Sequence, residues 1–329
     1  MAQQVSNIPK LSKFFKAFDL TPARRKEAWI GYLLIALWLF GFCAFTLFPT
    51  IFTMIFSFMD MKNNVSVVKT LASPQFVGFK NWIHYFNDPQ IGRSLLILFK
   101  YGAIALPVGV GLPLALALLM NSKNLVLKNL YRSLFYMPYI IPFIAALFVW
   151  GGMLNPASGW INRTLLLLGM PKGNLPQWAN DPNTVYLAYT IMGLWGVGQP
   201  MLIMLAGLQG VPTELYDAAS MDGANAWQKF WNVTFPMMSP VIFFSLVLNI
   251  VGLFQFLLLP LVLNQGNGNP GGSTMFYNVY LYKTLFQFQD MSYGSTLAWG
   301  LFIVILIVTL VLFLTSRYWV YYAGDTNRN

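Results

Sequence analysis

The charged residues that could carry chemistry are concentrated in one short segment, ELYDAASMDGANAWQKF, at residues 214–230. It places Glu214, Asp217, Asp222 and Lys229 within sixteen positions and intersperses them with alanine, serine and glycine. Acids this close together could form the acid–base site of an enzyme. They could equally form the polar face of a short helix that docks on a basic partner, because small side chains let another surface approach the backbone.

Other kinds of catalytic or cofactor site find little support in the sequence. Its single histidine, His84, and single cysteine, Cys43, supply neither a Ser/His/Asp set nor a metal-binding cluster. No Gly-Lys pair occurs, so the chain has no phosphate-binding loop of the kind that holds ATP. We therefore expect no cofactor in this chain.

The composition is that of a membrane protein. Of its 329 residues, 57% are hydrophobic and 9% are charged, and the mean hydropathy is +0.58, whereas soluble domains are about 25% charged. The net charge of +10 could suggest a nucleic-acid partner. The basic residues, however, lie mainly at the ends of apolar runs, as in membrane proteins, so the sequence predicts a lipid bilayer and no nucleic acid.

Six apolar runs are long enough to cross a bilayer as helices, which takes about 20 residues. These runs are residues 29–58, 94–119, 133–154, 184–209, 237–263 and 291–316. The fold class is thus all-α, a polytopic membrane protein with six transmembrane helices. Only the second run contains a charged residue, Lys100, whose side chain either reaches the nearer interface or lines a translocation path.

The distribution of basic residues predicts the orientation. With the N-terminus inside, twelve lysines and arginines lie in inside segments, seven lie in outside segments, and Lys100 lies within a span. This bias favours an N-in/C-in topology. The predicted organisation is a basic cytoplasmic tail (1–28), a six-helix domain (29–316) with a cytoplasmic loop at 210–236, and a cytoplasmic C-terminal tail (317–329).

The loop at 210–236 has the signals of two short helices. Thr213 could cap the first helix, acids fill its first turn, and Gly223 offers its end. A second amphipathic helix is predicted over 224–234, and Pro236 then begins the fifth span. Composition and spacing alone are equally consistent with a first helix that docks on a partner and with one that is a solvated connection.

At these residues the sequence resembles the permease subunits of binding-protein-dependent ABC importers. ELYDAASMDGANAWQKFWNVTFPMMSP resembles their signature loop, with Asp217 where glutamate is usual, then Ala218, Ala219 and Gly223. FVGFKNWIHYFNDPQ (76–90), YRSLFYMPYIIPFIAALFVWGGMLNPASGWIN (131–162) and LNQGNGNPGGST (263–274) resemble segments of the carbohydrate-uptake branch, of the maltose- or glycerol-phosphate-permease type.

The resemblance implies a type I ABC importer permease fold and a set of partners. These are a second permease, two ABC ATPase subunits that carry ATP and Mg²⁺, and an extracytoplasmic solute-binding protein, in a prokaryotic cell membrane. It also implies that the signature helix couples ATP hydrolysis to transport. The coupling residues would be Glu214, Tyr216, Asp217, Ala218, Ala219, Asp222 and Gly223.

A substrate path is predicted in the spans on either side of that loop. Helical spacing places one group of residues on a single face of span four, and another group does the same in span five. The path residues are Met192, Trp195, Gly196 and Gln199 in span four, and Asn249, Gly252, Leu253, Gln255 and Phe256 in span five. Both groups lie near the membrane midplane and suit a neutral sugar. The alternative is that their polar side chains join helices together.

The two alternative classes of function are an ion-coupled secondary transporter and a membrane enzyme. An ion-coupled secondary transporter of a small polar solute would usually need intramembrane carboxylates or a clear internal repeat, and no span contains Asp or Glu. A membrane enzyme would depend on the acids of 214–222, which fit a docking helix better. The sequence does not identify the sugar. The lack of a basic intramembrane cluster argues against a highly anionic substrate. Lys100 and the partner permease leave an anionic substrate open.

Overall fold

The computed structural model describes residues 22–61, 75–122 and 124–322. Over this part of the chain the regular structure is helical, apart from one isolated antiparallel bridge between Met59 and Phe76. The N-terminal basic residues that weigh most in the predicted orientation, Lys10, Lys13 and Lys16, lie outside the described residues. So does most of the predicted tail at 1–28, together with residues 323–329.

The first of two compact units ends at Ser57. It contains helix α1 (Pro22–Phe42), a π-helical turn (Cys43–Leu47) and helix α2 (Phe48–Phe56). The turn lies just before Pro49, whose ring removes a backbone donor and crowds the carbonyl group four residues earlier, within the turn. Residues 26–56 still form one helical stretch, apolar and long enough to cross a membrane, in agreement with the first predicted span.

The second unit begins at Phe58 and contains the remaining helices. In chain order they are α3 (Lys80–Asn87), α4 (Pro89–Asn121), α5 (Lys128–Tyr136), α6 (Phe143–Met153), α7 (Trp160–Leu167), α8 (Val185–Leu194), α9 (Gly198–Gln209), α10 (Thr213–Met221), α11 (Ala226–Lys229), α12 (Phe235–Phe254), α13 (Leu258–Leu263), α14 (Tyr277–Tyr282) and α15 (Met291–Trp319).

Helix α4 is the centre of this unit. It packs against α8, α9, α12 and α14. Its first half contributes Leu98 and Tyr101 to one apolar core, which also contains Tyr189, Phe254 and Phe276. Its last turns contribute Ala117 and Met120 to a second core, which α9 and the start of α12 complete. The bundle therefore has an apolar core at each end of α4.

Two of the predicted spans are bent rather than straight. The chain of 128–153 turns by 97° between a 3₁₀ turn that ends at Ile140 and α6, and the chain of 185–209 turns by 60° between α8 and α9. Ile141 is extended because Pro142 follows it, and proline disfavours the helical conformation of the preceding residue. The described residues thus contain four helices that could span a membrane, or up to six spans if each bent pair counts as one.

The two bends touch each other at Gly198, the first residue of α9. A Cβ atom built on Gly198 would lie 2.2 Å from the Phe135 carbonyl oxygen and 2.8 Å from the Tyr136 Cα. Glycine is therefore required for the backbones of the two bent spans to pass this closely. The contact fixes the start of α9 against the end of α5.

We expect Gly198→Ala to destabilise the folded protein by about 1–3 kcal/mol or more, because the added methyl group meets backbone rather than a movable side chain. The measurement is the thermal unfolding midpoint in detergent. Gly193→Ala is the matched control, since a Cβ at Gly193 meets nothing within 4 Å. Equal midpoints for the two variants would contradict the proposed close contact.

Candidate functional site

The acidic segment forms helix α10, as its spacing predicts. The helix begins at Thr213, after Pro212, with Glu214 in the first turn, where a negative charge favours the helix dipole. The predicted cap is wrong, because Thr213 is the first helical residue and its side chain caps nothing. The predicted end is confirmed: Gly223 has φ +78°, and its N–H donates to the Ser220 carbonyl at 3.1 Å.

The helix that follows differs from the predicted separate helix over 224–234. Asn225 and Gln228 form a reciprocal capping box with hydrogen bonds of 2.8 and 2.9 Å. Helix α11 then continues through a π-helical turn (Phe230–Thr234) directly into α12. Pro236 causes no break because the π-helical turn just before it contains Asn232, whose carbonyl group the proline ring would crowd in a regular α-helix. The loop is therefore joined to the fifth span without a flexible link.

Most of the predicted coupling residues lie on an open surface. Glu214, Asp217, Ala218, Asp222 and Gly223 are exposed, and Ala219 is half-buried. Apolar side chains surround them, since Met221 is 89% exposed and Trp227 is 69% exposed. We name this the α10 surface, defined by residues 214–223 and Trp227. Acids, small side chains and exposed apolar groups together suit a protein–protein contact.

Tyr216 differs from the other coupling residues because it faces the bundle. It is half-buried, and its hydroxyl lies 3.0 Å from the Thr234 hydroxyl. A second brace is the Lys229 ammonium group, which donates to the Ser220 hydroxyl at 2.7 Å. The two contacts fasten α10 to the helix that leads into α12. The side chain of Tyr216 therefore holds the α10 surface in place.

Five of the predicted path residues surround one cavity of about 330 Å³, which we name the central cavity. Tyr101 of α4 also lines it; the five are Gln199, Asn249, Gly252, Leu253 and Phe256. The Asn249 amide nitrogen donates to the Ser245 carbonyl at 2.9 Å, which fixes the side chain. The amides of Gln199 and Asn249 and the rings of Tyr101 and Phe256 thus converge on one space.

The other members of the span-four group lie elsewhere. Met192, Trp195 and Gly196 line a separate cavity of about 430 Å³ with Trp150 and the bend at Pro138–Pro142. The expected shared face with Gln199 is absent because the helix breaks between Leu194 and Gly198 and turns by 60°. Gln255 ends α12, is exposed and lines neither cavity.

The second cavity contains two unused donors. The indole Nε1 atoms of Trp150 and Trp195 are buried, and among the described residues neither has a hydrogen-bond partner. Their rings meet edge to face at 5.4 Å. A buried donor without a partner costs free energy, and the folded protein carries that cost at these two indoles.

A polar cluster that sequence reasoning missed holds the N-terminal end of α4. Asp88 caps this helix by accepting from the Gln90 N–H at 2.8 Å, and its other oxygen accepts from the hydroxyls of Tyr280, at 2.6 Å, and Tyr293. Burial raises the pKa of the Asp88 carboxyl, but these hydrogen bonds and the nearby His84 outweigh it and hold the pKa below 3.8. Only the cap was readable from Asp-Pro-Gln, because the tyrosines are 192 and 205 positions away.

Comparison with known proteins decides the family. Residues 108–324 match the family described as binding-protein-dependent transport system inner membrane component. The chain belongs to this family. The permease is 32% identical to the probable ABC transporter permease protein YesP of Bacillus subtilis (strain 168), over 91% of this chain and 94% of the relative. It is also 32% identical to the arabinooligosaccharides transport system permease protein AraP of the same organism, over 85% and 86%.

A solved structure shows the same fold. The permease matches a chain in the crystal structure of a bacterial alginate ABC transporter in complex with an alginate pentasaccharide-bound periplasmic protein. The TM-score is 0.73 and the sequence identity is 19%, and the match covers 89% of this chain and 95% of that chain. The fold expected from the signature loop is thus confirmed. The permease is a multi-pass membrane transport subunit of an ABC importer, rather than an enzyme or an ion-coupled transporter, and it works with a binding protein and other subunits.

We expect Asp88 to stabilise the N-terminal end of α4 through its charge. Asp88→Asn keeps the cap but replaces the charged acceptor of both tyrosine hydroxyls by a neutral one. Each lost hydrogen bond to a charged group lowers the free energy of unfolding by about 1–3 kcal/mol. The measurement is a double-mutant cycle of Asp88→Asn with Tyr280→Phe, read from the unfolding midpoint, in which the two effects should not add. Tyr282→Phe is the control, because that ring packs on Phe286 instead.

The pH dependence follows from the lowered pKa of Asp88. A depressed folded-state pKa gives stability that is present above the unfolded value of about 3.8 and is lost as the pH falls through the lower folded-state value. The native protein should therefore lose stability below about pH 4 more steeply than Asp88→Asn. Parallel acid-unfolding curves, or additive effects in the cycle, would contradict this role.

Proposed function

We propose that this permease pairs with a second permease to form the pathway for sugar or oligosaccharide uptake across a prokaryotic cell membrane. Two ABC ATPase subunits would bind ATP and Mg²⁺, and an extracytoplasmic binding protein would deliver the substrate. The names of similar permeases support a sugar substrate: arabinooligosaccharides for AraP of Bacillus subtilis, lactose for LacF of Rhizobium radiobacter, and trehalose and maltose for MalF of Thermococcus litoralis.

The observation that carries the proposal is the continuity between the α10 surface and the central cavity. Helix α10 presents exposed acids and small residues. The capping box and π turn join the loop to α12, and α12 carries Asn249 and Gly252 in the cavity wall. A partner that moved the α10 surface would therefore also move one wall of the cavity.

The coupling would work as a rigid lever. ATP-driven closure of the ATPase pair would pull α10, and the Tyr216–Thr234 and Lys229–Ser220 contacts would pass the displacement to α12. Coupling of two sites requires that each state of one site favours one state of the other. Nucleotide binding would thus set the shape of the central cavity.

The central cavity has the chemistry of a neutral sugar site. The amides of Gln199 and Asn249 can donate to and accept from hydroxyl groups, and the rings of Tyr101 and Phe256 supply flat apolar faces. Its volume of about 330 Å³ is at the small end of ligand sites, so the second permease would complete the path. Met192, Trp195 and Gly196 would contribute through their own cavity, which Trp150 also lines.

The test of the proposal is to purify the permease in mild detergent from its native membrane and identify what accompanies it. A Walker-motif ATPase, a second permease, and ATP-dependent sugar uptake after reconstitution with the binding protein are the expected results. If the chain emerged alone and moved solute into vesicles without ATP, an ion-coupled transporter would replace the proposal.

We expect Gly223→Pro to uncouple ATP hydrolysis from uptake. Proline fixes φ near −65° and cannot adopt the +78° found at Gly223, so the end of the α10 surface must rearrange. Asp217→Lys should have a similar effect by reversing the charge. Membrane insertion should persist while substrate uptake falls at least about tenfold. Asp217→Glu, which keeps the charge, is the control, and normal uptake by both disruptive variants would refute the docking role.

We expect Asn249→Ala to raise the half-saturating substrate concentration, because it removes a fixed amide from the central cavity. The loss of one sugar hydrogen bond of about 1 kcal/mol corresponds to a several-fold change in affinity. The measurement is uptake against substrate concentration. Gln255→Ala is the matched control, since Gln255 lies outside the cavity. An unchanged half-saturating concentration for Asn249→Ala would leave helix contact as the role of this residue.

A further inference from the structure

A larger cavity, of about 670 Å³, lies at the N-terminal end of α4. Its walls are the first turns of α4, the start of α8 with the segment before it, and the glycine-rich loop at 267–275. The charge bias of the sequence predicts that this end of α4 faces outside. We name it the basic cavity because Arg93 and Lys100 both line it.

The two cations share one face of α4. They are seven residues apart, which is two helical turns and about 10 Å along the axis, and both side chains are exposed. None of the residues that line the basic cavity is acidic, and the neutral polar ones carry three amides and two hydroxyls. Among the neighbouring acids, Asp88 accepts from two tyrosines, and Asp181 accepts from the backbone and side-chain amides of Asn183.

The wall opposite α4 is a fixed part of the protein. The Tyr186 hydroxyl donates to the Ser273 carbonyl at 3.0 Å, and the Asn264 amide donates to the Ala179 carbonyl at 2.8 Å. Thr274 is fully buried, and its hydroxyl donates to the Asn269 carbonyl at 2.7 Å. Arg93 and Lys100 therefore point into a space that polar protein groups enclose on the other side, rather than lying on a uniformly apolar lipid-facing surface.

A single layer of aromatic rings separates the basic cavity from the central cavity. Tyr186 lines the first and Tyr101 lines the second, and their ring centroids are 5.9 Å apart. Phe256 and Phe276 pack on Tyr101 at 4.7 and 5.6 Å. Both cavities also lie along successive turns of α4. A solute in the basic cavity is thus one aromatic layer away from the proposed sugar site.

We propose that the basic cavity binds the anionic groups of an acidic oligosaccharide as it enters the path, so that this permease favours uronic-acid-containing oligosaccharides over neutral ones. This inference rests on the proposed sugar-uptake function. Arg93 and Lys100 would bind carboxylates by charge-assisted hydrogen bonds, and Gln90, Asn183 and Asn267 would bind hydroxyl groups. Two cations two helical turns apart on one face of α4 can bind two anionic residues of one chain, whereas a single sugar phosphate carries one anionic group.

The sequence alone argues against a highly anionic substrate, because Lys100 is a single charged residue within an apolar span. The structure adds Arg93 from the preceding turns and the polar loop from a segment some 170 positions later in the chain. The resulting site has two positive charges and no acidic side chain in its wall.

The test uses the complete importer with its binding protein in vesicles of zwitterionic lipid and, in parallel, in vesicles that also contain anionic lipid. The probes are trigalacturonate, neutral maltotriose of the same length, and glucose 1-phosphate. The variant Arg93→Gln/Lys100→Gln removes both charges, and Arg93→Lys/Lys100→Arg keeps them. Arg163→Gln/Lys172→Gln is the matched control, because both are exposed basic residues outside the basic cavity.

The expected result is ATP-dependent trigalacturonate uptake whose half-saturating concentration rises at least about tenfold in Arg93→Gln/Lys100→Gln. The charge-keeping variant and the matched control should retain the native value. In the unmutated importer, higher salt should weaken trigalacturonate uptake through screening but leave maltotriose uptake unchanged. This salt measurement needs no variant and so does not depend on how the variants fold.

Several outcomes would overturn the inference. Equal trigalacturonate uptake with and without the two charges would do so, as would maltotriose uptake without uptake of either acidic probe. Uptake of glucose 1-phosphate alone would make the cavity a site for a single phosphate. A charge effect confined to vesicles with anionic lipid, and equal for every probe, would make it a lipid site. In each of these cases ATP-driven uptake survives, whereas uptake of no sugar with ATP would refute the proposed function itself.

Discussion

The interior of a bilayer offers no hydrogen-bond partners to a polypeptide backbone, and the architecture of this permease depends on that constraint. Regular helices satisfy their own backbone groups, so a break is tolerated only where protein or a water-filled space surrounds it. The three breaks within the second unit lie at Ile141–Pro142, at 195–197 and at 255–257. Each borders one of the two inner cavities. The cavities therefore form where the helices break, and two of the three breaks contain a proline or a glycine, Pro142 and Gly196.

The two ends of α4 have different tasks. At its C-terminal end a methionine-rich apolar core packs α9 and α12 together, next to α10. At its N-terminal end polar contacts are added to an apolar core: Asp88 binds tyrosines from α14 and α15 and thereby fixes the turns that carry Arg93 and Lys100. An apolar core suits a part that moves as one body, whereas directional hydrogen bonds suit a part that must hold charged groups in position.

Charge is rare in this protein, and where it occurs it has a definable place. Three acids lie on the exposed α10 surface, and Asp88 and Asp290 cap helices. The cavity chosen for a neutral ligand contains amides and rings but no ionised group. The basic cavity is the one internal space among those described here with two cations in its wall. The proposed path thus changes from electrostatic attraction at its entrance to hydrogen bonding further in.

The sequence by itself determined the features that depend on local composition. Long apolar runs predicted the helical membrane class. The spacing of residues 214–223 predicted a short helix and indicated the family, and Gly223 predicted the turn that ends this helix. The tertiary structure decided what depends on breaks and on distant partners. A 60° bend separated Trp195 from Gln199, although helical spacing predicted one face. A prediction from periodicity assumes an unbroken helix. No local pattern predicts that Asp88 meets Tyr280 or that Lys100 meets the loop at 267–275, because packing between distant segments makes those contacts.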